Sequence, residues 1–269
     1  MPEHYFRLTA PPFHKAPDPS HLFKTPAMEE AIARMEHGAR SQEISVLTGD
    51  VGVGKTTATR ALVDTLAEDF KIVWILNPRL TPTQLLQHLA MRLEIEPSPR
   101  GRVQLLDKIQ NSIFQLWEQK RPLLILIDEA QLLPFPETFE ELRLLTNFQM
   151  DGENLFSLIL SGQPELHRRL EHPRLRPLNQ RIGVRYQLTE LDSEQVGDYI
   201  NTRVAAFGRE EAMFTSPAIQ KIAEFSRGIP RVINNICSNA MLEGFVREQD
   251  PINDDIIYDV AKELGIVEI

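Results

Sequence analysis

The stretch Ile44-Ser45-Val46-Leu47-Thr48-Gly49-Asp50-Val51-Gly52-Val53-Gly54-Lys55-Thr56-Thr57 decides the fold. A short apolar segment runs into a glycine-rich turn that fits G-x-x-x-x-G-K-[ST], and a helical pattern, Thr56 to Glu68, follows it. Glycines let backbone N–H groups turn inward around phosphate oxygens, and the helix N-terminus adds positive potential. Lys55 reaches toward β and γ phosphates, and the Thr56 hydroxyl suits Mg²⁺. Nothing about a plain tight turn requires Lys-Thr at this spacing. The candidate phosphate-binding residues are therefore Gly49, Asp50, Val51, Gly52, Val53, Gly54, Lys55, Thr56 and Thr57.

Outward from this loop, strand and helix patterns alternate. Lys71 to Leu76 reads as a second strand, Leu85 to Leu93 and Val103 to Gln119 as helices, and Leu123 to Ile127 as a third strand, apolar throughout as in a sheet covered on both faces. Glu137 to Phe148 is helical, Leu155 to Leu160 a fourth strand and Gly183 to Leu188 a fifth. This alternation predicts an α/β fold with a five-stranded parallel sheet between helical layers. After Leu188 only helices are expected, at 193–207, 216–227, 231–247 and 254–264. The expected organisation is an extended, proline-rich arm over 1–26, a phosphate-binding domain over 27–188 and a small helical domain over 189–269. The arm carries Pro2, Pro11, Pro12, Pro17, Pro19 and Pro26, which argue against helix. Phe6, Phe13 and Phe23 punctuate it, either as anchors on a core or as contacts to a bound base.

The third strand ends in Asp128-Glu129. Coupled to the phosphate loop, this pair supplies a carboxylate for the Mg²⁺ shell, Asp128, and a general base for an attacking water, Glu129. After the fourth strand, Ser161 and Gln163 are polar candidates to stand beside the γ-phosphate and the water; the plainer alternative is that they cap the next helix. An arginine-dense stretch follows, Arg168, Arg169, Arg174, Arg176, Arg181 and Arg185. Arg181, just before the fifth strand, is placed to stabilise charge on a neighbouring subunit's γ-phosphate; a nucleic-acid phosphate contact and a solvated surface are its rival readings. Arg231, opening a helix after Gly228-Ile229-Pro230, is a candidate γ-phosphate contact in cis.

The chain has 269 residues, long enough at roughly 100–200 residues per domain for one large domain or one with a smaller companion. Its 29 Lys and Arg against 38 Asp and Glu leave a net charge of −9, which argues mildly against broad coating of nucleic acid. The single Cys237 excludes an internal disulfide framework. No apolar run approaches the ~20 residues of a membrane helix, and the N-terminus lacks signal-peptide layout, so a cytoplasmic protein without membrane insertion is expected. The histidines show no zinc-ligand spacing, and no nucleophile-elbow motif occurs.

The arm Tyr5-Phe6 through Pro11-Pro12-Phe13 and Pro17-Asp18-Pro19, the loop 47–57, Ile127-Asp128-Glu129-Ala130-Gln131, Leu142-Arg143-Leu144-Leu145-Thr146-Asn147, Gly162-Gln163-Pro164-Glu165-Leu166, Gln180-Arg181-Ile182 and Gly228-Ile229-Pro230-Arg231-Val232-Ile233-Asn234-Asn235 together resemble the ExeA/GspA-type ATPases of the AAA+ superfamily. The resemblance covers nearly the whole chain. It implies a three-layer αβα P-loop domain with a helical lid, ATP and Mg²⁺ as ligands, a homo-oligomer with sites between subunits, and the roles given above to Lys55, Thr56, Asp128, Glu129, Arg181 and Arg231. Ser161 departs from it, standing where many AAA+ proteins carry asparagine. Secretion-type members often continue into a membrane span and a peptidoglycan-binding domain; this sequence ends at Ile269 without them. The wording Thr146-Asn147-Phe148-Gln149-Met150-Asp151 and Ser226-Arg227-Gly228-Ile229-Pro230-Arg231 is similar to transposon-associated members. The expectation is an accessory ATPase working with a transposase on double-stranded DNA; the alternatives are service to a secretion or pilus assembly and a nucleotide-gated scaffold with little turnover.

Overall fold

The computed structural model describes residues 1–14, 23–95, 101–150 and 152–267. Pro17, Asp18 and Pro19 of the arm, and Asp151, lie outside the described residues. The chain divides into two compact units, Met28–Val51 with Lys55–Leu188, and Met1–Ala27 with Gly52–Gly54 and Thr189–Ile269.

In chain order, α1 (Pro2–Tyr5) and α2 (Pro26–Arg40) precede β1 (Ile44–Thr48), α3 (Lys55–Leu66), β2 (Lys71–Ile75), α4 (Pro82–Arg92), α5 (Arg102–Glu118), β3 (Leu123–Ile127) and α6 (Glu137–Leu145). A small hairpin, β4 (Gln149–Met150) with β5 (Glu153–Asn154), leads into β6 (Phe156–Gly162), α7 (Glu165–Leu170), α8 (Arg176–Asn179) and β7 (Ile182–Gln187). The main sheet runs β2-β3-β6-β1-β7, with every pairing parallel. Every residue of β1, β3 and β6 is buried, which is why their sequences are nearly continuous apolar runs. Each fully buried Leu or Ile of β3 contributes roughly 1.5–3 kcal/mol, so a charge at Ile125 would break the sheet's centre. Edge strand β7 is half-exposed and correspondingly mixed in sequence.

Parallel pairing sends the C-terminal ends of all five strands to one end of the sheet. Thr48 pairs with Gly162 and Ile127 with Leu160. The residues that follow β1, follow β3 and close β6 therefore emerge side by side. The N-terminal ends gather at the other end, where Ile44 pairs with Ile182.

Helix starts and stops follow local chemistry. α4 begins at Pro82, three residues before its apolar periodicity, because Thr81 and Gln84 form a reciprocal capping box and proline suits the first turn. α6 ends at Leu145, short of the expected Phe148, and Thr146 serves as its C-cap.

The helical unit contains α1, α9 (Ser193–Ala205), α10 (Ser216–Ser226), α11 (Pro230–Val246) and α12 (Asp254–Glu263). The expectation of an arm without helix is corrected at its start: Pro2–Tyr5 form one helical turn, closed by Phe6 N–H donating to Pro2 O at 3.0 Å. Proline at the first turn loses no bond, since that N–H has no intrahelical partner anyway. Phe6 and Phe13 are buried in the core of this unit, and Phe23 meets Tyr199 edge-on at 5.6 Å. The arm is fastened by buried arginines: Arg203 Nε donates to Pro12 O at 2.7 Å and Arg209 Nη1 to Phe6 O at 3.3 Å. These aromatics are anchors. Burial pushes the Cys237 thiol well above its usual range, leaving it inert.

Candidate functional site

The loop after β1 bends through glycine. Gly52 and Gly54 have φ of 89° and 113°, where a side chain is strained. Lys55, the first residue of α3, is buried and folds back over the loop, its Nζ donating to Gly49 O and Asp50 O, both at 2.8 Å. Asp50 and Val51 are exposed at the loop's outer face, Val53 is buried, and Thr57 is half-buried in the first turn of α3.

Donors from three segments converge on one carboxylate. Asp128 is 3% exposed and receives three donors: Thr56 Oγ1 to Oδ2 at 2.9 Å, Ser161 Oγ to Oδ1 at 3.1 Å, and the Glu129 N–H to Oδ1 at 3.0 Å. A carboxylate that loses water on burial must recover such bonds from the protein. Ser161 thus touches the acidic residue and does not cap α7, whose N-cap is Pro164.

Glu129 sits in the left-handed region at φ 51° and ψ 38°. This bend turns its carboxylate toward two amides: Oε2 accepts from Gln131 Nε2 at 2.5 Å and from Gln163 Nε2 at 3.1 Å. Gln131 Oε1 in turn accepts from the Gln163 N–H at 3.1 Å. Gly162 makes room for this network, since a Cβ there would lie 2.6 Å from Gln131 Oε1. Gln131 was not a candidate from sequence. Its signal was only its place two residues beyond Glu129, and the left-handed turn that folds it back is not legible in a four-residue string.

Within the helical unit, the Arg231 N–H donates to Gly52 O at 3.3 Å, and a Cβ on Gly52 would lie 2.8 Å from Arg231 Cβ. Gly228, at φ 73°, is required for a second reason: a Cβ there would meet Leu191 O at 1.9 Å. Arg181 is not part of this group. It precedes β7, beside the start of β1, and the length of β1 puts it roughly 13 Å along the sheet from the phosphate loop. Its Nη1 donates to Thr146 Oγ1 at 2.6 Å.

The donor chemistry fits Mg²⁺ with a nucleotide. The Thr56 hydroxyl and the Asp128 carboxylate are adjacent hard oxygen ligands beside a backbone cradle, and such sites use one or two protein oxygens together with phosphate. Among the described residues no group of three or more His, Cys, Asp or Glu forms a separate metal cage.

A family model described as an AAA domain matches residues 38–170. The General secretion pathway protein A of Aeromonas hydrophila is 37% identical over 245 residues, covering 90% of this chain and 45% of that protein. Together these matches support an ExeA/GspA-type AAA+ ATPase. The chain spans less than half the length of that curated relative. Among solved structures it is similar to Cdc6p from Pyrobaculum aerophilum, with a TM-score of 0.69 at 17% identity over 94% of this chain and 70% of that one. The Drosophila ORC bound to DNA gives 0.71 at 17% identity over 98% and 66%. At such identity these two likenesses establish the AAA+ fold alone. Among the described residues no helix is long and apolar enough to cross a membrane.

Proposed function

We propose that this AAA+ chain binds Mg-ATP and hydrolyses it to ADP and phosphate at the junction between two copies of itself. The observation that carries the reading is the three-donor grip on Asp128 beside the phosphate loop, with Glu129 as the next residue. Lys55 would exchange its loop carbonyls for the β and γ phosphates. Thr56 and Asp128 would hold Mg²⁺, which neutralises charge on the phosphates when bound. Glu129 takes the proton of the attacking water, oriented by Gln131 and Gln163. Ser161 reports to the same carboxylate as a sensor, and Arg231 acts in cis through the helical residues 189–269, so that nucleotide state changes their conformation.

Arg181 completes the site in trans. Its exposure and its place at the end of the sheet away from its own loop support a contact with the γ-phosphate of a second copy. Glu129→Gln should bind ATP, hold the assembled state and barely turn over; wild-type turnover in that variant would overturn the assignment of the base.

Downstream, two tasks divide by partner. The wording of 146–151 and 226–231 supports an accessory ATPase of a transposase on double-stranded DNA. The 37% identity to the A. hydrophila protein favours a second reading, service to secretion or pilus assembly proteins. ATP-dependent binding to duplex DNA at two salt concentrations separates them: binding that weakens steeply with salt supports the first, and none at either salt supports the second.

A further inference from the structure

The N-terminal end of the sheet carries a cavity of about 180 Å³, lined in part by Thr146, Gln149, Asn154, Phe156, Leu158 and Arg181. Its polar groups are mostly spent on one another. Gln149 Nε2 donates to Asn154 Oδ1 at 2.8 Å, and Asn154 Nδ2 donates to Gln42 O at 2.8 Å. Arg181 is different. One nitrogen of its guanidinium donates to the Thr146 hydroxyl, while the residue as a whole remains exposed. Among the described residues no carboxylate pairs with it.

Thr146 itself is buried, 6% exposed, and its hydroxyl proton is committed to Arg143 O at 2.7 Å. That bond fixes the hydroxyl's rotation and turns a lone pair toward Arg181. A guanidinium has five N–H donors. Here one is tied to a rigid neutral acceptor, so the side chain is aimed while no carboxylate among the described residues cancels its charge. We infer that Thr146 is the positioning residue of Arg181, holding the guanidinium at the cavity mouth with its charge kept for the phosphate of a second copy. This rests on the reading of Arg181 as acting in trans.

The test compares Thr146→Val, Thr146→Ser and Arg181→Ala in the full chain by assembled ATP turnover, nucleotide affinity and melting temperature. Valine keeps the shape and removes the hydroxyl; serine keeps the hydroxyl. Thr146→Val should lower kcat about 10-fold or more, with nucleotide affinity within about twofold, while Thr146→Ser retains turnover. The double variant Thr146→Val/Arg181→Ala should be no slower than Arg181→Ala alone. Mixing Thr146→Val with Lys55→Ala, whose Arg181 is intact, should restore turnover. Wild-type kcat in Thr146→Val beside an inactive Arg181→Ala would overturn the role of Thr146 and leave the trans reading standing. Loss of nucleotide affinity, or a double variant slower than Arg181→Ala, would make Thr146 a structural residue. Wild-type kcat in Arg181→Ala would overturn both.

Discussion

The Thr56 hydroxyl and the Asp128 carboxylate, 72 residues apart, meet at 2.9 Å. Thr56 stands in the first turn of α3, beyond the glycine-rich loop that follows β1, and Asp128 directly follows β3. These two strands flank β6 in the sheet, so the loop's span across that strand brings the two side chains together. Asp128→Asn preserves the shape and keeps a hydrogen-bonding oxygen but removes the charge a magnesium ion requires. Turnover should fall roughly 100-fold or more, while nucleotide binding measured in chelator is retained. Titrating a fluorescent nucleotide with and without Mg²⁺ checks this. An unchanged Mg²⁺ dependence would remove Asp128 from the metal shell.

Gln131 and Gln163 present N–H donors to the same oxygen of Glu129. Gln131→Glu would set a carboxylate against that oxygen and push the base out of alignment. The expected loss in kcat is on the order of 10–100-fold with KM little changed, and Gln131→Ala should fall between this variant and wild type. Steady-state kinetics of the two variants decide it; a rise in KM with kcat intact would place Gln131 in substrate binding instead.

His88 on α4 has a buried Nε2 with no hydrogen-bond partner among the described residues. Burial, and then the charge of Arg92, hold its imidazole below the ordinary 6.5. The unfolded chain therefore takes up a proton at a higher pH than the folded one. The associated stability is present above pH 6.5 and is lost as pH falls through the folded value. Melting temperature should drop on acidification across this window, and His88→Gln should flatten the drop. Equal acid-side slopes for both proteins would assign the effect elsewhere.

Much of this site is legible in residue order. The phosphate loop and Asp128-Glu129 are local strings on strands whose apolar runs announce a doubly covered sheet. From these, the five strands and their parallel class follow. What is not legible is set by register and backbone bends. Ser161 meets Asp128 because Ile127 pairs with Leu160, a relation between segments that no single string contains. Gln131 reaches Glu129 because Glu129 is left-handed. Thr146 ends α6 where helical periodicity continues, since the chain turns there into the hairpin of β4 and β5, two strands too short to carry an alternation. The first turn at Pro2–Tyr5 was hidden by proline, which reads as a helix breaker except at the one position where it costs nothing.

On the proposed reading, one copy's phosphate loop and another's Arg181 form a single hydrolytic site. Mixing Lys55→Ala with Arg181→Ala, each inactive alone, tests it most directly, with co-assembly followed by size-exclusion chromatography. ATP turnover should reappear in the mixture, because an intact loop from one variant meets an intact arginine from the other. Mixed assemblies that form and stay inactive would contradict it.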